Sequence, residues 1–393
     1  MRRRIGIGLV GLGWMGQAHS RSYRRIPMLF PDPAADAELV ICSDTVPERR
    51  QEAVSSFGYR EATDDWRVVC AHPDVEVVVV TAPNMLHVEI IEAASAEGKH
   101  IFCEKPVGGT PEQTLQAWLA VRAAGTISGV GYNYRFAPLV RHAAELIADG
   151  ALGQITAYRG RFFSMYGNDP LGVLSWRFVQ EEGGYGVSSD LLSHAVDLAH
   201  TLVGPIASVV GARATLIPER PIPRPGARHY GRGSSADPTG PVTNEDYVSM
   251  LAVFANGARA TFESSRALVG PESQMAFDVH GTKGALAWNL ERMNELLVYD
   301  GNGLDSGYTT VFGGDRFPYH GNFVPGNANG IGFEDLVTIE DYEFLNAIAR
   351  GEPHQPGLDA ALEYVSVQAA LVRSWETGRW EAVVPLAEAR VGP

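Results

Sequence analysis

Along the first third of the chain, short apolar runs alternate with stretches of helical spacing, the pattern of a parallel sheet covered on both faces. Ile5 to Val10 predicts a strand, Met15 to Arg25 a helix, Leu39 to Ser43 a strand and Pro47 to Phe57 a helix. Val75 to Val80, His87 to Glu97, His100 to Cys103 and Pro111 to Ala124 continue as strand, helix, strand and helix, and Ser128 to Gly131 adds a last strand. Val77 to Val80 is β-branched throughout, so it belongs at the sheet centre, where both faces are buried.

After Pro138 comes a helix from Leu139 to Asp149, and then the spacing changes. Ile155 to Phe163, Ala207 to Thr215, Tyr247 to Phe254, Ala258 to Ser265, Met275 to His280 and Ala285 to Asn289 read as successive strands. Short turns such as Ala255-Asn256-Gly257 join them, which predicts an open antiparallel sheet. Helices are expected at Ser188 to Leu202, Glu334 to Arg350 and Asp359 to Thr377, the last closed by Gly378. Pro218 to Pro241, dense in Pro, Gly, Arg and Ser, reads either as a long ordered loop reaching the site or a neighbouring subunit, or as a flexible insertion.

The length of 393 residues suits two domains. No apolar run approaches the ~20 residues of a membrane span. Met1-Arg2-Arg3-Arg4 before an apolar stretch has the charge of a signal-peptide start, but the four glycines from Gly6 to Gly13 and the lack of a small-residue cleavage site argue against one. A net charge of -14 disfavours nucleic acid and anionic membranes as partners, leaving small molecules. The three cysteines, Cys42, Cys70 and Cys103, sit near the ends of expected buried elements and suit a reducing cytoplasm.

Gly11-Leu12-Gly13-Trp14-Met15-Gly16 follows the first strand and opens the first helix. In that context the glycines form a dinucleotide turn. Gly11 makes the tight bend, Gly13 admits the pyrophosphate and Gly16 lets helix and strand pack closely. Residues 1–133 are therefore expected to be a Rossmann domain. Asp44, at the end of the second strand, can accept hydrogen bonds from the adenosine ribose and favours NAD over NADP. Arg49 and Arg50 on the following helix leave NADP open, and a capping role for Asp44 is the plainer alternative. Thr81-Ala82-Pro83-Asn84 lies at the carboxyl edge of the sheet, where such folds bind ligands. His87 opens the next helix near the expected nicotinamide end, although a surface or capping role fits it nearly as well. Glu104-Lys105-Pro106 ends another strand at the same edge, where a lysine can polarise an alcohol oxygen.

Together with Tyr132-Asn133-Tyr134-Arg135 and Pro138, and with Gly183-Gly184 leading to Asp190, His194 and Asp197, these motifs resemble the glucose-fructose oxidoreductase and inositol dehydrogenase family (Gfo/Idh/MocA) over essentially the whole chain. The resemblance implies an N-terminal Rossmann domain and, over 134–393, a substrate-binding and oligomerisation domain built on an open antiparallel sheet, its last helices packing back on the first domain. It implies that Lys105, Asp190 and His194 converge on the substrate. Asp190 and His194, four residues apart, leave one face of a helix. His194 would take the hydroxyl proton, Asp190 orient the hydroxyls and Lys105 stabilise the alkoxide. Glu104, Lys105 and Asn133 join the cofactor residues in this reading, and Tyr132, Arg135, Trp176 and Arg177 the substrate residues. His194, Asp197 and His200 share a helical face, but without a supporting cluster no metal site is expected, and Asp197 with His200 reads as a solvated or capping pair.

Leu174 to Phe178, Ile217 to Pro221 and Trp288 to Arg292 resemble the subgroup of levoglucosan dehydrogenase-like sugar 3-dehydrogenases. This implies oxidation of a secondary alcohol on a pyranose ring by NAD. The chain departs from that subgroup around Ser164 to Leu171, where Met165-Tyr166-Gly167-Asn168 would line the pocket. Inositol oxidation, an NAD-dependent glycosidase acting by transient oxidation and elimination, and a noncatalytic dinucleotide-binding regulator are the competing readings. A sheet with one uncovered face predicts a homodimer or homotetramer packed through it.

Overall fold

A computed structural model describes residues 2–224, 231–301 and 306–389. The N-terminal half carries a six-stranded sheet of β1 (Arg3–Val10), β2 (Ala35–Ser43), β3 (Glu61–Thr63), β4 (Val77–Val80), β5 (His100–Cys103) and β6 (Ser128–Val130). All pairs are parallel and the order is β3-β2-β1-β4-β5-β6, so the connections change direction between β1 and β4. Val77 to Val80 occupy the middle of the sheet and are fully buried, as an unbroken β-branched run requires. β3 and the helix Trp66–Ala71 were not foreseen, because Glu61-Ala62-Thr63 is a short, exposed edge with no apolar alternation.

The second sheet has nine strands in the order β16-β15-β14-β13-β7-β12-β11-β8-β17. They are β7 (Ile155–Ser164), β8 (Ile206–Ala214), β11 (Tyr247–Phe254), β12 (Arg259–Ser265), β13 (Ser273–Gly281), β14 (Gly284–Asn289), β15 (Glu295–Asp300), β16 (Tyr308–Phe312) and β17 (Glu381–Ala382). The expected open sheet is present, and it is mixed rather than antiparallel throughout, since β7 and β12 pair in parallel. The reason is topological. Between those two strands the chain passes through the helix Ser193–Leu202, β8 and β11 and returns to lay β12 beside β7 in the same direction, while β13 takes the other side of β7. The outer strands β15 and β16 were also missed; β16 is largely exposed and follows residues 302–305, which lie outside the described set.

One face of this sheet is apolar. Tyr158, Phe162, Met250, Phe262, Phe277 and Trp288 point inward, where the helices Pro138–Ala148, Ser193–Leu202 and Leu358–Thr377 cover them. Its other face carries Arg159, Leu251 and Thr261, all exposed, with an Arg161–Asp278 ion pair at 2.9 Å. Pro218 to Pro241 is in part ordered, since β9 (Glu219–Pro221) and β10 (Thr239–Pro241) form a two-stranded hairpin, whereas 225–230 fall outside the described residues. The helix expected at Ser188 to Leu202 is present, but its first turn, Ser188–Leu192, is π-helical, a wider turn often found at functional positions.

The helix Phe333–Arg350 returns to the N-terminal half. Its Ile339, Phe344, Leu345 and Ile348 share one apolar core with Ile5, Ile7 and Leu9 of β1. Arg21–Glu334 and Arg25–Asp335, each at 2.6 Å, tie its first turn to the helix Trp14–Leu29.

Candidate active site

The glycine turn has the local geometry its residue types demand. Gly11 sits at φ +97°, a left-handed conformation that a side chain would strain, and its N–H donates to Ser43 O at 2.8 Å. A Cβ on Gly16 would stand 1.9 Å from Gly11 O, so only glycine allows the helix this close to the turn. A Cβ on Gly13 would meet nothing within 4 Å. Gly13 is also the N-cap, and no side chain caps the helix. The first-turn N–H groups and the positive end of the helix dipole therefore face open space, which fits the pyrophosphate of a dinucleotide. Trp14 is 66 % exposed and stacks on Phe333 with ring centroids 5.2 Å apart, while Met15 is half-buried.

Asp44 braces this turn. Its Oδ2 accepts from Leu12 N–H at 2.7 Å and its Oδ1 from Val46 N–H at 2.8 Å, an Asx turn ahead of the helix Pro47–Glu52, whose N-cap is Val46, so Asp44 does not cap that helix. Arg49 pairs with the same carboxylate at 3.3 Å. Thr81 Oγ1 donates to Gly11 O at 2.5 Å, joining the end of β4 to the turn, and Asn84 Nδ2 donates to Gly183 O at 3.3 Å.

His87 is neither a surface nor a capping residue. It is buried, with Nδ1 2.8 Å from Pro106 O and Nε2 2.8 Å from Ala82 O, so it ties the Thr81–Asn84 segment to the Glu104–Pro106 segment. Burial lowers its pKa despite the two carbonyls, which favour a protonated ring. Glu104 is also buried, with Oε1 3.3 Å from His19 Nε2 and Oε2 accepting from the Lys105 N–H at 3.2 Å.

The end of β5 and the π turn place Lys105 against Asp190. Lys105 Nζ donates to Asp190 Oδ1 at 2.7 Å and to its carbonyl at 3.1 Å, and Tyr166 donates its hydroxyl proton to Asp190 Oδ2 at 2.7 Å. Burial would raise the pKa of Asp190, but Lys105 and Arg177 outweigh it and hold the carboxyl ionised, far below the usual range. His194 lies in an aromatic box with Tyr134 at 4.7 Å, Tyr132 at 5.7 Å and Phe162 at 5.9 Å between ring centroids. Burial, reinforced by the Lys105 charge, drives its pKa well below 6.5 against the pull of Asp190, so the ring is neutral.

Asn84, Pro106, Tyr166, Trp176, Arg177 and Asp190 line one narrow, partly open cleft. Trp176 and Arg177 thus share a cavity with Asp190. Arg135 does not reach it as a free cation, because its guanidinium is bound to Asp197 at 2.8 and 2.5 Å. Asp197 is 3 % exposed, so the solvated Asp197–His200 pair expected from the sequence is corrected to a buried Asp197–Arg135 pair. Asn133 is buried, and its Nδ2 has no partner among the described residues.

Several supports went unread in the sequence. Arg266 is 1 % exposed, bound to Asp246 at 2.7 Å and to Asn244 at 2.8 Å, and it donates to Arg177 O at 3.1 Å. Arg220, equally buried, donates to Gly167 O and Asp169 O and lies over Phe178, as does Arg266. The Arg220 guanidinium fixes the segment after Tyr166, whose Gly167 N–H also donates to Arg266 O at 2.8 Å, and the Arg266 guanidinium fixes Arg177. Their sequence signal was weak, since an arginine on a strand or in a proline-rich loop reads as surface; only the unbroken polar run Asn244-Glu245-Asp246 beside a strand hinted at a buried acceptor.

The dinucleotide turn, the mixed sheet and the Lys105–Asp190 contact define a class. The chain belongs to the GFO/IDH/MocA family, with residues 5–132 matching its oxidoreductase NAD-binding Rossmann fold and 140–287 its C-terminal domain. It is an NAD-binding oxidoreductase. Among individual relatives, levoglucosan dehydrogenase of Pseudarthrobacter phenanthrenivorans is 38% identical over 96% of this chain and 97% of its own. Inositol 2-dehydrogenase of Rhizobium meliloti is 26% identical over 94% of this chain and 96% of its own. A solved levoglucosan dehydrogenase in complex with NADH and levoglucosan superposes with a TM-score of 0.90 at 35% identity, covering 97% of this chain and 100% of that one.

Proposed function

We propose that this protein oxidises a secondary alcohol of a pyranose sugar or glycoside to the ketone, with a levoglucosan-like substrate reacting at C3. The observation that carries the reading is the 2.7 Å contact of Lys105 Nζ with an ionised Asp190, next to a neutral, buried His194. A neutral imidazole accepts the proton of the reacting hydroxyl. Lys105 stabilises the negative charge growing on that oxygen, in a cleft where low polarity strengthens the attraction. Asp190, fixed by Lys105 and Tyr166, orients the neighbouring hydroxyls. Bound NAD⁺ supplies the acceptor for the hydride leaving the same carbon.

Gly11, Gly13, Trp14, Met15 and Gly16 hold the pyrophosphate end of the cofactor, and Thr81, Ala82, Pro83, Asn84, Glu104, Lys105 and Asn133 the nicotinamide end. Asp44 accepts from the ribose with the lone pairs its two backbone contacts leave, which favours NAD over NADP. Trp176 packs against ring C–H groups, Arg177 supplies directional donors and Tyr132 closes the pocket over His194. Arg135 and His87 act one step back, through Asp197 and through the carbonyls of Ala82 and Pro106.

Residues 1–133 form the cofactor domain in this reading and 134–393 the substrate and oligomerisation domain, whose uncovered sheet face pairs subunits into dimers or tetramers. A monomeric mass by light scattering would remove the last point. Three free, buried cysteines accord with a reducing cytoplasm. Incubation with NAD⁺ and a panel of levoglucosan, glucosides, inositols and free hexoses is expected to give net NADH at 340 nm with levoglucosan or a glycoside. Lys105→Ala should lower turnover by roughly 10²- to 10⁴-fold, a larger factor than any change in its NADH affinity. Aglycone release without net NADH would make it a glycosidase instead, and turnover with inositols alone would change the substrate class.

A further inference from the structure

Behind the Lys105–Asp190 contact, sealed from solvent, lies a chain of charged groups that the reaction above does not use. His19 and Asp341 are fully buried. His19 Nδ1 stands 2.9 and 3.0 Å from the two carboxylate oxygens of Asp341, and Nε2 3.3 Å from Glu104 Oε1. The other oxygen of Glu104 accepts the Lys105 N–H at 3.2 Å. Gly131 makes room for this carboxylate, since a Cβ there would stand 2.7 Å from Glu104 Oε2. Phe102 closes the side of the imidazole, ring centroids 5.0 Å apart. We propose that His19 is a positioning residue for the catalytic lysine: as an imidazolium it bridges Asp341 and Glu104, so that the helix Phe333–Arg350 sets the backbone from which Lys105 reaches Asp190.

The protonation state follows from the partners. Ionised carboxylates only accept hydrogen bonds, so an imidazole facing one at each nitrogen must carry a proton on both. Burial opposes the charge, yet Asp341 and Glu104 outweigh it and raise the ring's pKa well above 6.5. The ionisable groups around the bridge include Glu340 on the same helix as Asp341, Tyr23 on the helix of His19 and Lys105 after β5, with Tyr59 facing Asp341 and Cys103, Tyr134 and His87 facing Glu104. Glu340 is fully buried, neither of its oxygens has a partner among the described residues, and burial and the neighbouring Glu104 push its pKa well above the usual range, so it stays neutral. Burial and Asp341 likewise keep the Tyr23 phenol protonated. The site thus holds two carboxylates against one imidazolium and the backbone N–H of Lys105. An unpaired buried carboxylate is costly, so losing the imidazolium would release Glu104 from its place.

Two isosteric substitutions separate positioning from mere support. The amide of His19→Asn occupies the place of Nδ1 and keeps the Asp341 contact. That of His19→Gln reaches toward the place of Nε2 and keeps the contact with Glu104. Each loses the charge and breaks the bridge at one end, so a purely structural role predicts activity losses that track the loss of Tm. The proposal predicts that kcat falls about tenfold or more in both variants, assayed well below their Tm, with KM and NADH affinity little changed. In the unliganded protein, nitrogen-15 NMR should show both His19 ring nitrogens as imidazolium at pH 8, where a free histidine is neutral. A kcat near wild type in either folded variant, or a neutral His19 at pH 8, would overturn the proposal. The kinetic part rests on the dehydrogenase reading: a wild type without turnover on any polyol would sink that reading, and the ring-nitrogen state would still decide the bridge.

Discussion

The cofactor turn and the substrate cleft lie at the same edge of the first sheet and are built in opposite ways. The turn is six consecutive residues whose function resides in the backbone, with glycines where a Cβ would strain, collide or project into open space. The cleft draws side chains from Asn84 to Arg266, and its shape depends on bound charges in and behind its wall: Lys105 on Asp190, Arg266 on Asp246, and Arg220 on the carbonyls of Gly167 and Asp169. One region tolerates almost no change in side-chain size, the other almost no change in charge pairing.

Substitutions that act on one region alone would sharpen this contrast. The largest effect is expected in the cleft. Tyr166→Phe deletes the hydroxyl that bonds Asp190 Oδ2. Since a hydrogen bond to a charged group contributes about 1.5 to 3 kcal/mol, kcat/KM should fall by roughly 10- to 100-fold with NADH affinity unchanged. Equal losses in both would mean that the two regions are not separable. Next, Gly13→Ala adds a methyl group that meets nothing within 4 Å in the protein itself. Tm should therefore stay at the wild-type value while the Kd for NADH, followed by fluorescence, rises about tenfold, near 1.4 kcal/mol. Unaltered NADH binding would deny that the open space belongs to the cofactor.

The smallest effect concerns pH. The helix that presents His194 also buries His200, and burial together with Arg135 pushes the His200 pKa from 6.5 down to about 4. The unfolded chain takes up this proton first, so His200 favours the folded state above pH 6.5, and stability is lost as pH falls toward about 4. Burial puts His354 in the same position, also at about 4. Thermal melts at pH 7 and 5 should show a drop in Tm that His200→Gln reduces. A Tm independent of pH would place the acid sensitivity elsewhere.

What could be read from the sequence follows the same division. β1, the glycine turn, Asp44 and the Val77 to Val80 strand were legible because each is local: a run, a spacing or a residue type fixes its environment. Lys105 and Asp190 were found through a family resemblance, and only the structure brings them within 2.7 Å. The ion pairs behind them were not legible. Arg135 and Asp197 are 62 positions apart, and nothing in either neighbourhood says that one guanidinium is spent on the other. The same holds for His87, whose partners are carbonyls, and for the parallel β7–β12 pair, which depends on the path of the whole intervening chain.

The helix Phe333–Arg350 closes the core around β1 with residues made more than three hundred positions after it. While the ribosome is still making the second sheet, Ile5, Ile7 and Leu9 have strands and helices beside them but lack Phe344, Leu345 and Ile348. The cofactor half is thus discontinuous in synthesis although compact in space, and a chain stopped short of residue 333 carries an open apolar seam. Its first domain is finished nearly last, so until residue 350 is made that seam stays open to the apolar surface of another chain.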